Sequence, residues 1–259
     1  MSNRPNVLLL FSDEHRHDAM GCAGHERVKT PHLDALAENG TRFTQAFTPS
    51  PICVPARAAL ATGQYVHQNR CWSNAEAYSG DPVSWGHHLI EQGHRVDSIG
   101  KLHYRGGETD NGFEEEILPL YIRNGVGWIK GLLRDHEAFF DVSSYVREIG
   151  PGSDRYTDYD LGVTRAARQW LSDAGQAASE KPWVLFVSWL RPHYPLTCPP
   201  EYYDLYPLDK MDSARFVSDA ELPSHPVTRT IRRNFNYDDA FDDAGRQMAR
   251  ASYYGLCSF

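Results

Sequence analysis

Three apolar runs each lead into ionisable residues, and one thiol stands near a proline and an arginine. Asp13 follows Val7 to Phe11, Lys101 and His103 follow Arg95 to Ile99, and His193 follows Trp183 to Leu190. Each run reads as a strand, the first as one buried on both faces of a parallel sheet. In open α/β sheets the ligand crevice lies beyond the carboxyl ends of the strands, so these groups can converge although they are distant in sequence. The thiol sits in Cys53-Val54-Pro55-Ala56-Arg57, ahead of Ala58 to Gly63. A proline two residues after the cysteine suits the first turn of a helix. Cys53 then lies near an N-terminus, where free N–H groups and the helix dipole favour an anion. Arg57, one turn on, adds a fixed positive charge on the same side.

The elements that must carry these groups alternate as β and α. Thr30 and Pro31 supply a helix N-cap and first-turn proline, Leu33, Leu36 and Ala37 form an apolar stripe, and Gly40 ends it. A second helix is expected from near Pro55 to Gly63, and a third over Ser84 to Gln92, closed by Gly93. Thr157 and Asp160 resemble a capping box for a helix whose apolar face is Val163, Ala166, Ala167, Trp170, Leu171 and Ala174. Gly106 to Gly152 is irregular in pattern and is expected to hold insertions over the sheet edge. Phe241 to Phe259 reads as a helix that the chain end interrupts.

The 259 residues, 41% hydrophobic and 23% charged, can bury one large α/β domain. A formal charge of -8 without a Lys/Arg-rich run argues against nucleic acid or an acidic membrane as the main partner. Val7 to Phe11 is too short for a signal-peptide core or a membrane span. The five cysteines, Cys22, Cys53, Cys71, Cys198 and Cys257, are an odd set without paired spacing and read as free thiols. A cytoplasmic location is expected.

Cys-x-Pro-x-Arg with a trailing Thr-Gly resembles the sulfatase signature, whose cysteine is oxidised after translation to formylglycine. The chain also carries Pro5-Asn6-Val7 running into Asp13, Thr30-Pro31-His32-Leu33-Asp34, Gly100-Lys101-Leu102-His103 and Pro192-His193-Tyr194-Pro195-Leu196. All four resemble landmarks of that family in the same order. The resemblance implies an alkaline-phosphatase-like three-layer α/β sandwich with a mainly parallel central sheet. It identifies residues 1–259 as the amino-terminal part of a single catalytic domain, truncated at the carboxyl end.

The chemistry implied is hydrolysis of a sulfate monoester, with hydrated formylglycine attacking sulfur and the aldehyde re-forming as sulfate leaves. Phosphonate monoesters or phosphodiesters are the alternative substrates, and a non-catalytic relative with an unmodified Cys53 is the alternative to an enzyme. By position, Asp13, modified Cys53 and Glu14 would hold a divalent cation, calcium first and manganese or magnesium as alternatives. Arg57 and Lys101 would stabilise the hydrate and the anionic transition state. His103 would hold or deprotonate the diol, and His193 would contact the sulfate or protonate the leaving oxygen. A formylglycine-generating enzyme would be a partner in maturation, and self-association is left open.

Glu14 departs from the paired aspartates of many members, a departure shared by the branch containing choline sulfatase and phosphonate monoester hydrolase. The family's second metal pair and a later catalytic lysine are expected beyond residue 259. Asp135-His136-Glu137 imitates that pair but lacks the preceding apolar strand and the glycine. A different class of reading takes Glu14, His15, His17, Cys22 and His25 as a zinc-binding module.

Overall fold

In a computed structural model, the structure describes residues 4–127, 142–143, 147–176, 181–211, 225–236 and 240–259. Asp135-His136-Glu137 and part of the stretch read as irregular lie outside the described residues. In chain order the elements are β1 (Val7–Asp13), α1 (Pro31–Asn39), α2 (Cys53–Thr62), α3 (Val66–Asn69), α4 (Trp85–Glu91), β2 (Val96–Lys101) and β3 (Glu115–Leu120). Then follow β4 (Ile149–Pro151), α5 (Arg155–Gln176), β5 (Val184–Pro192), β6 (Leu196–Cys198), α6 (Pro200–Tyr203), α7 (Pro226–Asn234) and α8 (Asp243–Ser258). They form two compact units, one of residues 1–13, 44–134 and 159–190, the other of residues 14–43, 135–158 and 191–259.

The first unit is built on a four-stranded sheet in the order β1-β5-β2-β3. β2 runs parallel to both neighbours, with Ile99 opposite Val187 on one side and Ile117 on the other. Side chains alternate along a strand, so β5 serves both faces. Phe186 packs with Ala58 and Ala61 of α2, and Leu185 and Val187 pack with Val163, Ala167 and Trp170 of α5. Helices therefore cover the two faces of β5, as expected from the β-α rhythm. Each fully buried aliphatic or aromatic side chain in these clusters contributes roughly 1.5–3 kcal/mol.

β1 departs from expectation. Only Leu9 and Phe11 pack against the α2-side cluster, while Val7, Leu8 and Leu10 are 47%, 41% and 50% exposed. β1 closes one end of the described strand order, and its second face, which carries Leu8 and Leu10, is exposed.

Helix boundaries show local chemistry at work. α2 starts at Cys53 itself, with Pro55 in the first turn, where a missing N–H costs nothing. It ends at Gly63, whose φ of 67° places it in the left-handed region suited to glycine. α5 starts two residues before Thr157, and the capping groups differ from the expected pair. Asp154 Oδ1 accepts from the N–H groups of Tyr156 and Thr157, whereas Asp160 accepts from the Leu190 N–H at 2.8 Å. In α1 the Thr30 hydroxyl makes no cap bond; it donates to Asp34 and accepts from the Gly21 N–H. The expected stripe is not buried either, since Leu33 and Leu36 are 38% and 62% exposed.

The second unit pairs β4 with β6 in parallel, and α8 packs on both strands. Its N-cap is Asp242, which accepts from the Gly245 N–H at 2.7 Å. Ala19, Val28 and Cys257 form one small core and Tyr206, Met211 and Ala251 another. The helix expected near Phe241 to Phe259 is thus present and structurally central to this unit.

Candidate active site

The first unit gathers three of the expected site residues at the carboxyl ends of its strands. Asp13 ends β1, Lys101 ends β2, and Arg57 projects from α2. Arg57 Nη2 donates to Asp13 Oδ2 at 3.1 Å, and Lys101 Nζ meets the same oxygen at 2.5 Å. Arg57 Nη1 donates to Ser188 Oγ at 3.0 Å and to the Lys101 carbonyl. One guanidinium therefore ties α2 to the ends of β1 and β2 and to the middle of β5. Its cation also lies 5.0 Å from the Phe11 ring centroid. Residue exposures of 6% for Asp13, 2% for Arg57 and 1% for Lys101 leave little water to screen these charges. The cluster holds two cations to one carboxylate. Locally the balance is positive, although the chain as a whole carries -8.

Cys53 lies one turn before Arg57 on α2, and residues four apart share a helix face. Asn74 holds this start: its Oδ1 accepts from the Val54 N–H at 3.1 Å, and its Nδ2 donates to Cys53 Sγ at 3.4 Å. Sequence reasoning missed Asn74, because an asparagine in a polar loop carries no signal of its own. It also missed Ser188, for which a signal existed. A single hydroxyl inside Val184 to Leu190, a run otherwise apolar, needs a polar partner once it is buried.

All five cysteines are free thiols, as expected. Burial pushes Cys198 and Cys257 up to about 12 and raises Cys71 as well. Those three are core residues held neutral. Cys53 is only partly buried and stands at a helix start.

Two left-handed non-glycine residues stand just past the strand ends, Glu14 with φ of 62° and His103 with φ of 54°. Such conformations are costly for residues with a Cβ and concentrate at functional sites. His103 is anchored through its N–H, which donates to the Leu120 carbonyl at 2.8 Å. The end of β2 before it depends on Gly100, with φ of 98°, where a Cβ would sit 2.1 Å from the Ser188 carbonyl oxygen.

The second unit brings the other two expected residues together. His193 Nε2 lies 3.5 Å from Glu14 Oε1. The Glu14 carbonyl accepts from the Tyr253 hydroxyl at 2.7 Å, and that hydroxyl accepts from the Arg16 N–H at 2.8 Å. Burial raises the Tyr253 phenol far above its ordinary value, so it stays a donor. The alternative zinc module is not supported. His15 bonds the Ala19 carbonyl, and His25 accepts from the N–H groups of Arg27 and Val28 while its Nε2 meets Tyr254. Among the described residues, these groups form no metal-ligating cluster of their own.

The sulfatase family matches residues 5–251. The chain belongs to the sulfatase family. A choline-sulfatase of Rhizobium meliloti is 28% identical over 259 residues, covering 90% of this chain and 50% of that protein. A sulfatase of Escherichia coli, described as uncharacterized, is 30% identical over 224 residues, covering 78% of this chain and 41% of that one. The crystal structure of a phosphonate monoester hydrolase of Agrobacterium radiobacter superposes with a TM-score of 0.72 at 23% identity, over 98% of this chain and 56% of that one. The fold is thus the alkaline-phosphatase-like α/β fold with a mostly parallel sheet, as expected. This sulfatase chain spans about half the length of the curated relatives it matches.

Family membership implies a formylglycine and a divalent metal. The donor at the end of β1 fits a hard cation in kind. Asp13 is a buried carboxylate, the oxygen-donor type that hard divalent cations take.

Proposed function

We propose that this chain supplies the amino-terminal part of a single catalytic domain that hydrolyses sulfate monoesters. The observation that carries the reading is the positive balance of the buried Asp13, Arg57 and Lys101 cluster, one helical turn from Cys53. An anionic sulfate ester meets two fixed cations there and the N-terminal dipole of α2. Formylglycine, formed by oxidation of Cys53, would supply a hydrated-aldehyde nucleophile, and a calcium ion, or manganese or magnesium in its place, would supply Lewis-acid polarisation of the sulfate.

The chain's own residues do the rest. Asp13, with Glu14 after it, holds the cation. Arg57 and Lys101 counter the charge that builds on the sulfate oxygens, already desolvated and already in place. Asn74 fixes the start of α2 and with it position 53. His103 holds or deprotonates the nucleophilic oxygen. His193 gives a proton to the departing alcohol oxygen. Maturation would need a formylglycine-generating enzyme. The free thiols support a reducing compartment, the cytoplasm, and no helix among the described residues is long and apolar enough to cross a membrane.

Matched aryl sulfate and aryl phosphonate esters test the assignment. Sulfate turnover should be the faster, and it should vanish in Cys53→Ala together with the formylglycine mass signature of that peptide. A faster phosphonate reaction would move the assignment to the alternative substrates. An unmodified Cys53 with no turnover of either ester would favour a non-catalytic relative.

A further inference from the structure

Arg191 ends in a network of a different kind from that of Arg57. It is 4% exposed, just past the first unit's portion of β5. Its Nη2 donates to Asp154 Oδ1, to Thr157 Oγ1 at 3.0 Å and to the Thr197 carbonyl at 3.2 Å. Its Nη1 donates to the carbonyls of His193, at 3.0 Å, and of Pro195. Three carbonyls from one six-residue stretch, Pro192 to Thr197, converge on a single buried guanidinium, and that stretch carries His193. On the other side the same guanidinium holds Asp154 and Thr157, at the start of α5.

The ring that this stretch presents is itself oriented. His193 Nδ1 faces the Tyr194 carbonyl. A carbonyl only accepts, so Nδ1 carries the hydrogen, and Nε2 is the nitrogen that faces Glu14 Oε1 at 3.5 Å. Tyr194 stacks on the imidazole with centroids 4.3 Å apart. The bond depends on the backbone path from His193 to Pro195, and that path is the one whose carbonyls Arg191 gathers.

We propose that Arg191, braced by Asp154, is a positioning residue that fixes the backbone of residues 192–197 and thereby the Nδ1–H tautomer and aim of His193. The consequence for catalysis rests on His193 serving the leaving oxygen, as read above. Lysine cannot replace it, since one ammonium has three donors in tetrahedral directions and cannot span a carboxylate, a hydroxyl and three carbonyls.

Nitrogen-15 NMR of the His193 imidazole in the 259-residue chain tests the positioning directly, with His193→Gln used to assign the signal. The wild-type ring should show the Nδ1–H pattern. Arg191→Gln and Arg191→Lys should show the averaged pattern of a ring exchanging between tautomers. Asp154→Asn keeps a capping oxygen for α5 while removing the charge that braces Arg191, so it separates loss of position from loss of fold. An unchanged tautomer pattern in Asp154→Asn and in a folded Arg191 variant overturns the proposal.

Leaving-group dependence separates this from the reading it rests on. In the active enzyme, His193→Ala should slow alkyl sulfates by roughly 100-fold or more while sparing nitrophenyl sulfate, whose leaving group needs no proton. Arg191→Gln should reproduce that selectivity at about a tenth of its size or more, with no further loss when combined with His193→Ala. If His193→Ala slows both esters equally, the leaving-group role fails, and Arg191 is then judged on the tautomer alone. Equal slowing of both esters by Arg191→Gln, beside a selective His193→Ala, overturns the catalytic consequence.

Discussion

Two buried arginines, Arg57 in the first unit and Arg191 in the second, each hold a carboxylate, a hydroxyl and backbone carbonyl oxygen. For Arg57 these are Asp13, Ser188 and the Lys101 carbonyl. For Arg191 they are Asp154, Thr157 and the carbonyls of His193, Pro195 and Thr197. The difference lies in what else the carboxylate touches. Asp13 is shared with a second cation, Lys101, whereas Asp154 is shared with two helix N–H groups. The first cluster keeps a positive excess. The second balances to neutrality and holds a chain segment in place. Similar hydrogen bonding thus leaves a charge excess in one region and none in the other, and net charge distinguishes them.

The comparison is most exposed to removal of the two carboxylates. Asp13→Ala leaves Arg57 and Lys101 buried together without a counter-charge, and should lower stability by about 3–5 kcal/mol. Asp154→Ala removes a helix cap and one ion-pair partner but leaves Arg191 its hydroxyl and three carbonyls, so about 1–3 kcal/mol is expected. Urea denaturation measures both, and equal losses would mean that the charge excess has no energetic reality. Gly100→Ala comes next. A Cβ placed 2.1 Å from the Ser188 carbonyl, at φ of 98°, must displace β2 from β5, costing about 1–3 kcal/mol in backbone strain alone. The Lys101 end of the strand should move with it and turnover should fall.

The paired hydroxyls give a smaller and sharper contrast. Ser188→Ala and Thr157→Ala should each cost about 1 kcal/mol, but Ser188→Ala should slow nitrophenyl sulfate turnover and Thr157→Ala should not. Least in size is an alkaline effect. Cys198 and Cys257 are held protonated to about 12 against an ordinary 9.0. The unfolded chain ionises first as pH rises past 9.0, so their contribution is complete below that value and is lost towards 12. Denaturation midpoints should decline across this window, and Cys198→Ala should flatten the decline. Alkylation below it should reach unconverted Cys53 well before Cys198 or Cys257.

Much of the site was legible because its residues follow recognisable local patterns. Cys53, Pro55 and Gly63 mark the two ends of a helix by their backbone preferences alone, and α2 begins and ends where those preferences place it. The apolar runs before Asp13, Lys101 and His193 did become strands. What failed were inferences that needed a neighbour. The capping role given to Thr157 and Asp160 belongs to Asp154, because Thr157 is engaged by Arg191 and Asp160 by the Leu190 N–H. β1 has the composition of a strand buried on both faces, yet composition cannot say whether an element exists to cover Leu8 and Leu10.

By itself the sequence determined the elements, their polarity of start and stop, and the residue types that end each strand, since these depend on φ/ψ preference and on periodicity over a few residues. The tertiary structure alone decided that Asp13, Arg57, Lys101 and Ser188 meet, that Asn74 touches the thiol, and that Arg191 gathers the stretch bearing His193. Those meetings join residues up to 131 positions apart. Charge balance in a buried cluster is a property of such meetings, because water no longer averages the charges and each count depends on who else is within reach.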